Sequence, residues 1–425
     1  MSILLSASSL EYPDEIGQSI MNDAKTLAVH TETVGVMTRT YLTPAHHGAA
    51  AQLAEWMCAA GMNVRRDAVG NVIGRYEGLT PNAPTLLTGS HFDSVRNGGI
   101  YDGNLGILLP IACVQRWHDK GQRFPFAIEV IGFAEEEGVR FKATLLGSRA
   151  AAGTFDLAVL DNQDGEGHTM REAMASSGFH VVALAKAAYA PESVLAFVEV
   201  HIEQGPVLLN EDLPLGVVTA ISGASRFMVE VEGLAGHSGT VPMEMRRDAA
   251  MAAAEVSLYI ERRCQGTPGL VGTVGQFDVP DGAANVVPGN AIFSIDIRAG
   301  EDLIRHQAVK DVLAEIDKVA QRRNVAIRAR KTHEAPSVPC AAWLQQQLSA
   351  SITANNVPVR HLPSGAGHDA MAMAAITDVA MLFVRCGNGG ISHHPLETMT
   401  APDAEVAARV FADFVENFKA QASLK

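Results

Sequence analysis

The sequence has little of what would tie it to a membrane, to nucleic acid or to an oxidising compartment. Its five cysteines, Cys58, Cys113, Cys264, Cys340 and Cys386, are scattered with no CxxC pair among them. That excludes a disulfide framework and reads as reduced, mostly buried thiols. No apolar run approaches the roughly 18 residues that a membrane span requires. The opening MSILLSASSLEYPDE has a short apolar run but no basic n-region and soon turns acidic, so it is a poor secretory leader and a cytoplasmic protein is expected. Positive charge is also short: 33 Lys and Arg against 47 Asp and Glu give a net charge of −14. A nucleic acid or an anionic membrane wants a basic face, so neither is expected as a partner. Internal repeats and low-complexity segments are absent.

What is present is the composition of a folded globular protein, 47% apolar and 19% charged, over a length that suggests about two or three domains. Thr43 and Pro44 open the first helix that the pattern marks clearly, with Leu53, Trp56, Met57 and Ala60 on its packed face and Gly61 beyond its end. Apolar segments at 85–88, 126–134, 194–200 and 379–384 read as buried strands, separated by helical stretches at 105–118 and 369–375. Strands alternating with helices predict an α/β fold with a mostly parallel sheet covered on both faces. From about 213 to 331 the rhythm changes to strand (226–232), helix (246–263), strands (270–277 and 291–298), helix (301–323) and strand (325–330). That β-α-β-β-α-β order is ferredoxin-like. It reads as a domain inserted at 213–331 into a discontinuous one made of 1–212 and 332–425.

The polar chemistry collects where strands end. TLLTGS runs into His91-Phe92-Asp93, with Asp102 following in the glycine-rich NGGIYDGN. FAIEVIGFA runs into Glu135-Glu136-Glu137, VLAFVEV into His201-Ile202-Glu203-Gln204, and AMLFVRCGNGG into Ser392-His393-His394. Ligands of open α/β sheets bind beyond the carboxyl ends of the strands, so these runs predict one shared site. Histidines and carboxylates without thiolate suit zinc, manganese, cobalt or nickel. If two ions are held about 3.5–4 Å apart, one carboxylate must bridge them, and Asp102 among glycines is the candidate. Asp93, two residues after His91, can fix that ring through its other N–H. Glu136 and Glu137 are adjacent and point apart, so one can ligate while the other moves protons. Each piece alone has a duller explanation: an EEE run is usually a solvated helix start, and NGG a plain turn. His46, His47 and His118 lie on helical stretches without such a pattern. The combination carries the prediction.

The strings GSHFDSVRNGG with Asp102-Gly103, AEEEGVRF, HIEQGPVL, GHSGTVPMEMRRD, ANVVPG with DIR, SGAGHDA and GISHHPLE resemble the M20-type metallopeptidase superfamily. More narrowly they resemble its hydantoinase/carbamoylase branch: N-carbamoyl-L-amino-acid hydrolases, allantoate amidohydrolases and β-ureidopropionases. The resemblance runs from about residue 30 to the C-terminus. It implies that His91, Asp102, Glu137, His201 and His393 hold two divalent ions, with Asp102 bridging. Glu136 would then be the general base and acid, and Asp93 the orienter of His91. Gln204, His237, Asn285, Arg298 and Gly390, which opens GISHHPLE, would form the substrate shell, with Arg298 on a substrate carboxylate and His237 also at the carbonyl oxygen. The implied activity is hydrolysis of a carbamoyl or ureido C–N bond with release of ammonia. An aminopeptidase or dipeptidase of the same superfamily is the near alternative, and a non-catalytic metal-binding protein a remote one. The inserted domain would serve as lid and as the interface of a homodimer. Phe92 and Val139 stand where smaller residues are usual and would narrow the pocket, and Ser238 replaces an alanine. His394 competes with His393, which matches the SHxP spacing.

Overall fold

A computed structural model describes residues 16–421, so the N-terminal stretch read above for a leader lies outside the described residues. The chain divides into two compact units. One runs to Val218 and resumes over Cys340–His361 and from His368; the other comprises Thr219–Pro339 with Leu362–Gly367. The second unit therefore begins a few residues later than the change of rhythm at 213 suggests. The strand Leu215–Ile221 first pairs, over 215–217, with Val379–Val384 of the first unit.

The first unit is α/β. Its strands lie in the order Asn63–Arg66, Val72–Tyr76, Ala127–Phe133, Thr85–His91, Val194–Ile202, Val379–Val384 and the start of Leu215–Ile221. The central pairs are parallel and the flanking ones antiparallel. Every residue of Thr85–His91, Ala127–Phe133 and Val379–Val384 is buried, as befits strands covered on both faces. In the helix Pro44–Ala59, the Thr43 hydroxyl accepts the His46 N–H and Pro44 takes the first turn, where a missing N–H costs nothing. Leu53 and Met57 of that helix join Leu105, Leu108 and Leu109 of Leu105–Asp119, and Val410 and Phe411 of Ala401–Glu416, in one core.

Three elements depart from the sequence reading. A helix, Ile16–Leu27, precedes the one at Thr43 and buries Ile16, Ile20, Ala24 and Leu27. Its Gly17 lies so close to the start of Ala401–Glu416 that a Cβ there would stand 2.1 Å from the Ala401 carbonyl oxygen. The helix expected at 369–375 is a short turn, Ala370–Met373. The strand expected at 270–277 is two, Leu270–Thr273 and Phe277–Asp278.

In the second unit Gly223–Glu232 lies between Ala326–Ala335 and Asn290–Ala299, and the two short strands Leu270–Thr273 and Phe277–Asp278 both pair with Asn290–Ala299. All pairs are antiparallel. Burial alternates along Asn290–Ala299, so one face packs inward. That face meets Ala253, Val256 and Ile260 of Ala249–Gln265 and Ala308, Val312 and Ile316 of Asp302–Arg323, in a core of its own. Among the described residues no helix is long and apolar enough to cross a membrane. All five cysteines are unpaired thiols, and all but Cys58 are buried.

Candidate metal centre

Three parallel strands deliver the site to one edge of the sheet. His91 ends Thr85–His91, residues 134–137 follow Ala127–Phe133, and His201 is the penultimate residue of Val194–Ile202. Asp102 sits just before the helix Leu105–Asp119, beside Gly103, whose backbone is left-handed (φ +67°). A Cβ on Gly103 would stand 2.4 Å from the His91 carbonyl oxygen, so only glycine lets this loop reach the strand end. His393 (φ +55°) and Gln204 (φ +56°) adopt the same region without being glycine, a strain that accumulates at functional sites.

The two oxygens of Asp102 face different partners. Oδ1 lies 3.6 Å from His91 Nε2 and 3.3 Å from His201 Nε2, and Oδ2 lies 3.2 Å from His393 Nε2, which is itself 3.6 Å from Glu137 Oε1. Donors about 2.0–2.1 Å from a shared tetrahedral ion stand roughly 3.3 Å apart, so this spacing is that of ligands around a cation. The donors form two adjacent sets, His91–Asp102–His201 and Asp102–Glu137–His393, joined by one carboxylate. The set fits divalent ions that prefer nitrogen and oxygen. His91 and His201 also present the correct nitrogen. The Nδ1 of His201 is 2.9 Å from the Ile202 carbonyl, and that of His91 is 3.2 Å from the Asp93 carbonyl and 3.3 Å from its carboxylate, leaving Nε2 toward Asp102. Asp93 also accepts the Glu136 N–H (3.0 Å) and the Glu137 N–H (3.2 Å), joining two strand ends. His394 is exposed, and its Nδ1 accepts the Leu396 N–H at 3.1 Å; His393 is the one beside Asp102.

The electrostatics are those of a negative cluster out of water. Burial raises Glu136 well above the usual carboxylate range, with Glu137 adding to the shift and His91 opposing it. Burial likewise lifts Glu137 to about 7. The hydrogen bond to Asp102 raises His393 to about 9, against burial. For His91, burial disfavours the charge but is overcome by Asp102 and Asp93. For Asp102, burial is overcome by the three histidines, which hold it well below the usual range. The Glu136 carboxylate makes no hydrogen bond among the described residues and lies in the group formed with His91 and Glu137, free to exchange a proton.

The residues expected around the substrate divide between the units. Gln204 belongs to the first, where its amide Nε2 reaches Asp102 Oδ2 at 2.9 Å and stands 3.3 Å from His393 Nε2, while its Oε1 is buried without a partner among the described residues. Gly390 (φ +78°) packs against the HIEQGP loop, where a Cβ would stand 2.3 Å from the Gly205 carbonyl carbon. His237, Asn285 and Arg298 belong to the second unit. His237 pairs with Val286, and the Ser238 N–H donates to the Asn285 carbonyl at 3.0 Å. Arg298 donates to Asp296 (2.8 Å) and to the Gly365 carbonyl (2.7 Å).

Phe92 does not narrow a pocket. It is fully buried in the core and stacks on His46 at 4.5 Å, whose Nε2 is 2.7 Å from the Ala134 carbonyl. Val139 lines a cleft of about 600 Å³ with Thr40, Leu42, Arg96 and Lys142. Several residues of the centre escaped the sequence reading. Glu199, two residues before His201 and so on the same face of the strand, accepts from Ser90 Oγ (2.7 Å) and the Ala370 N–H (3.0 Å), and groups with His201 and His368. Glu397 accepts the Tyr101 and Asp102 N–H groups at 2.9 and 3.1 Å. The signals were inside quoted strings: Glu199 in VLAFVEV, His368 in SGAGHDA, Glu397 closing GISHHPLE.

The chain as a whole resembles known proteins. Residues 82–417 match the model of Peptidase family M20/M25/M40. Over 446 aligned positions the chain is 38% identical to allantoate deiminase 1 of Glycine max, covering 96% of this chain and 92% of that protein. It is 40% identical over 376 residues to an N-carbamoyl-L-amino acid amidohydrolase of Geobacillus stearothermophilus, covering 88% and 92%. A crystal structure of an amidase of the hydantoinase/carbamoylase family from Burkholderia multivorans superposes with a TM-score of 0.88 at 30% identity, over 94% of this chain and 96% of that one. With a matched region spanning both units and relatives aligned over nearly their whole length, the chain belongs to peptidase family M20/M25/M40.

Proposed function

We propose that this protein is a two-metal amidohydrolase that cleaves the carbamoyl or ureido C–N bond of a small carboxylate-bearing substrate, an N-carbamoyl-L-amino acid or allantoate, with release of ammonia. The observation that carries the reading is Asp102, one oxygen turned to His91 and His201 and the other to His393 and Glu137. Two divalent cations, zinc or manganese, would be held by these five residues, and when bound they supply the positive charge that polarises a carbonyl and acidifies water. Glu136 takes a proton from the attacking water as the C–O bond forms and returns it to the nitrogen as the C–N bond breaks. Asp93 keeps His91 and the backbone of Glu136 and Glu137 in register. Gln204 and Gly390 border the centre, and His237 and Asn285 would meet the substrate's oxygen and carboxylate groups. Arg298 suits a carboxylate because its planar fork binds one bidentately, as it already does with Asp296.

We assign the second unit the part of a ferredoxin-like lid that closes over the substrate and forms the homodimer; its antiparallel sheet with two helices packed on one face supports that reading. The names of the relatives, an allantoate deiminase and an N-carbamoyl-L-amino acid amidohydrolase, support the substrate class. The test is ammonia release from N-carbamoyl-L-amino acids, allantoate and β-ureidopropionate after chelation and again after Mn²⁺ or Zn²⁺ is restored. Release that depends on metal is expected; metal-independent release, or cleavage of dipeptides without ammonia from any ureido compound, overturns it.

A further inference from the structure

We infer that Glu397 is a positioning residue, a buried clamp that holds the loop of Asp102 against the loop of His393. The inference rests on reading those two residues as metal ligands. Glu397 is 4% exposed and bonds residues that precede it by 295 and 296 positions. Its Oε1 accepts both the Tyr101 N–H (2.9 Å) and the N–H of Asp102 itself (3.1 Å), and its Oε2 accepts the hydroxyl of Ser392 (3.0 Å), the neighbour of His393. Ser392 Oγ stands equally close, 2.9 Å, to Asp102 Oδ2. One carboxylate thus touches the backbone of one ligand and, through a single hydroxyl, both that ligand's side chain and the strained turn of the other.

The loop is shaped to admit this carboxylate. A Cβ at Gly99 would stand 2.1 Å from the Glu397 carboxylate, and here φ is not the constraint: glycine is needed for space. Without Glu397, two backbone N–H groups are buried with no acceptor, and the 3.2 Å approach of His393 to Asp102 is left to Gln204 and to a Ser392 hydroxyl no longer tied to the Asp102 backbone. Outer partners of this kind are worth about 10–100-fold in metal affinity.

The test uses the full-length protein and Mn²⁺ alone, so it does not depend on any substrate. Glu397→Ala should weaken Mn²⁺ binding by about 10–100-fold. In the metal-free protein it should also strip the Tyr101 and Asp102 amides of protection from hydrogen exchange. Glu397→Gln, which keeps an acceptor for those amides, should recover most of both. Gly99→Ala, which displaces the carboxylate without removing it, should reproduce the Ala variant, and the double variant should be no worse than either single one. Glu334→Gln, in the second unit, is the control for general destabilisation and should bind Mn²⁺ as the wild type does. Wild-type affinity and protection in Glu397→Ala, or additive losses in the double variant, overturn the assignment. Should Glu397→Ala not fold, unchanged affinity and protection in Gly99→Ala overturn it equally. A wild type that binds Mn²⁺ but releases no ammonia from any ureido compound sinks the proposed function and leaves this assignment standing.

Discussion

Two charge clusters, one in each unit, answer the burial of charge in opposite ways: in one a single buried arginine is met by carboxylates nearer the surface, in the other the carboxylates themselves are sunk. In the second unit Arg305, 1% exposed, bonds Glu334 and the hydroxyl of Ser225, and holds Asp302 at 2.9 Å. Asp302 in turn accepts the Ser337 N–H at 2.9 Å. Here each charge meets its opposite. Burial works against Glu334, but Arg305 and Lys331 overcome it and bring it down to about 2. In the first unit Glu135, Glu136, Glu137 and Asp93 crowd together, and among the described residues no arginine or lysine bonds their side chains. Burial pushes Glu135 and Glu136 well above the usual range. The Arg305 cluster pairs its charges internally, with only Arg305 Nε buried without a partner among the described residues; the other is an excess of negative charge that a cation would neutralise. A buried ion cluster with its own counter-charges is architecture, and one without them is a binding site.

The largest expected difference between the clusters is in turnover. Glu136→Gln should retain its metal content and lose about 10²–10⁴-fold in kcat, the usual worth of a positioned general acid–base group, read by ammonia release. Glu334→Gln should leave kcat within twofold. A Glu136→Gln enzyme running near the wild-type rate removes the proton-transfer role from this residue. Next in size is the response to cations. At free Mn²⁺ about 100-fold above its Kd the wild type should gain roughly 2.7 kcal/mol for each ion bound in a chemical denaturation experiment, lost on chelation. Glu334→Gln should keep the whole of that gain, because its own cluster holds no ion. Without the cation, the same variant should be destabilised by about 1–3 kcal/mol, since Arg305 stays buried with a partner removed. A neutral outcome there would mean that the Arg305 cluster is not the self-sufficient half of the comparison.

How far each cluster could be foreseen follows from how its contacts run along the chain. His91, Glu137 and His201 were legible because they stand at the ends of apolar runs that parallel strands bring to one edge, and Asp102 and His393 because the glycine-rich loops that carry them follow such runs. Their partners were not, because a contact such as Glu397 to Asp102 depends on two loops about 295 positions apart. The helix Ile16–Leu27 was missed for the same reason: its buried stripe is ordinary, and what holds it is Ala401–Glu416, through Gly17 and a Glu405 carboxylate that accepts the Gly17 N–H at 2.8 Å. Phe92 misled in the other direction. Lying between two site residues, it reads as a pocket wall, but alternation turns it away from its neighbours and into the core beside His46. The Arg305 cluster left no motif, since only Asp302 and Arg305 are near each other along the chain, three apart on one helix, and Glu334 and Ser225 meet when the strands Gly223–Glu232 and Ala326–Ala335 pair.

The smallest expected effect is the most discriminating, because the two clusters give the pH dependence of stability opposite signs. In the metal-free protein Glu137 titrates at about 7 rather than 4.5, and His393 at about 9 rather than 6.5. Both values are raised, so between about pH 4.5 and 9 the folded chain holds more protons than the unfolded one at these groups, and stability falls as pH rises through that window. Glu334, lowered to about 2 from 4.5, acts the other way: its contribution is fully present above 4.5 and disappears as pH falls toward 2. Asp102, also held low, adds to this acid limb. Saturating Mn²⁺ should therefore flatten the alkaline limb and leave Glu334's share of the acid one, whereas Glu334→Gln should shrink the acid limb and leave the alkaline one. Cation binding must also expel the protons that Glu137 and His393 carry. Calorimetric titration of the metal-free protein with Mn²⁺ at pH 7, in two buffers of different ionisation enthalpy, should register net proton release. A buffer-independent heat would show that the centre is already deprotonated and waiting, and the contrast with the Arg305 cluster would then lie in geometry alone.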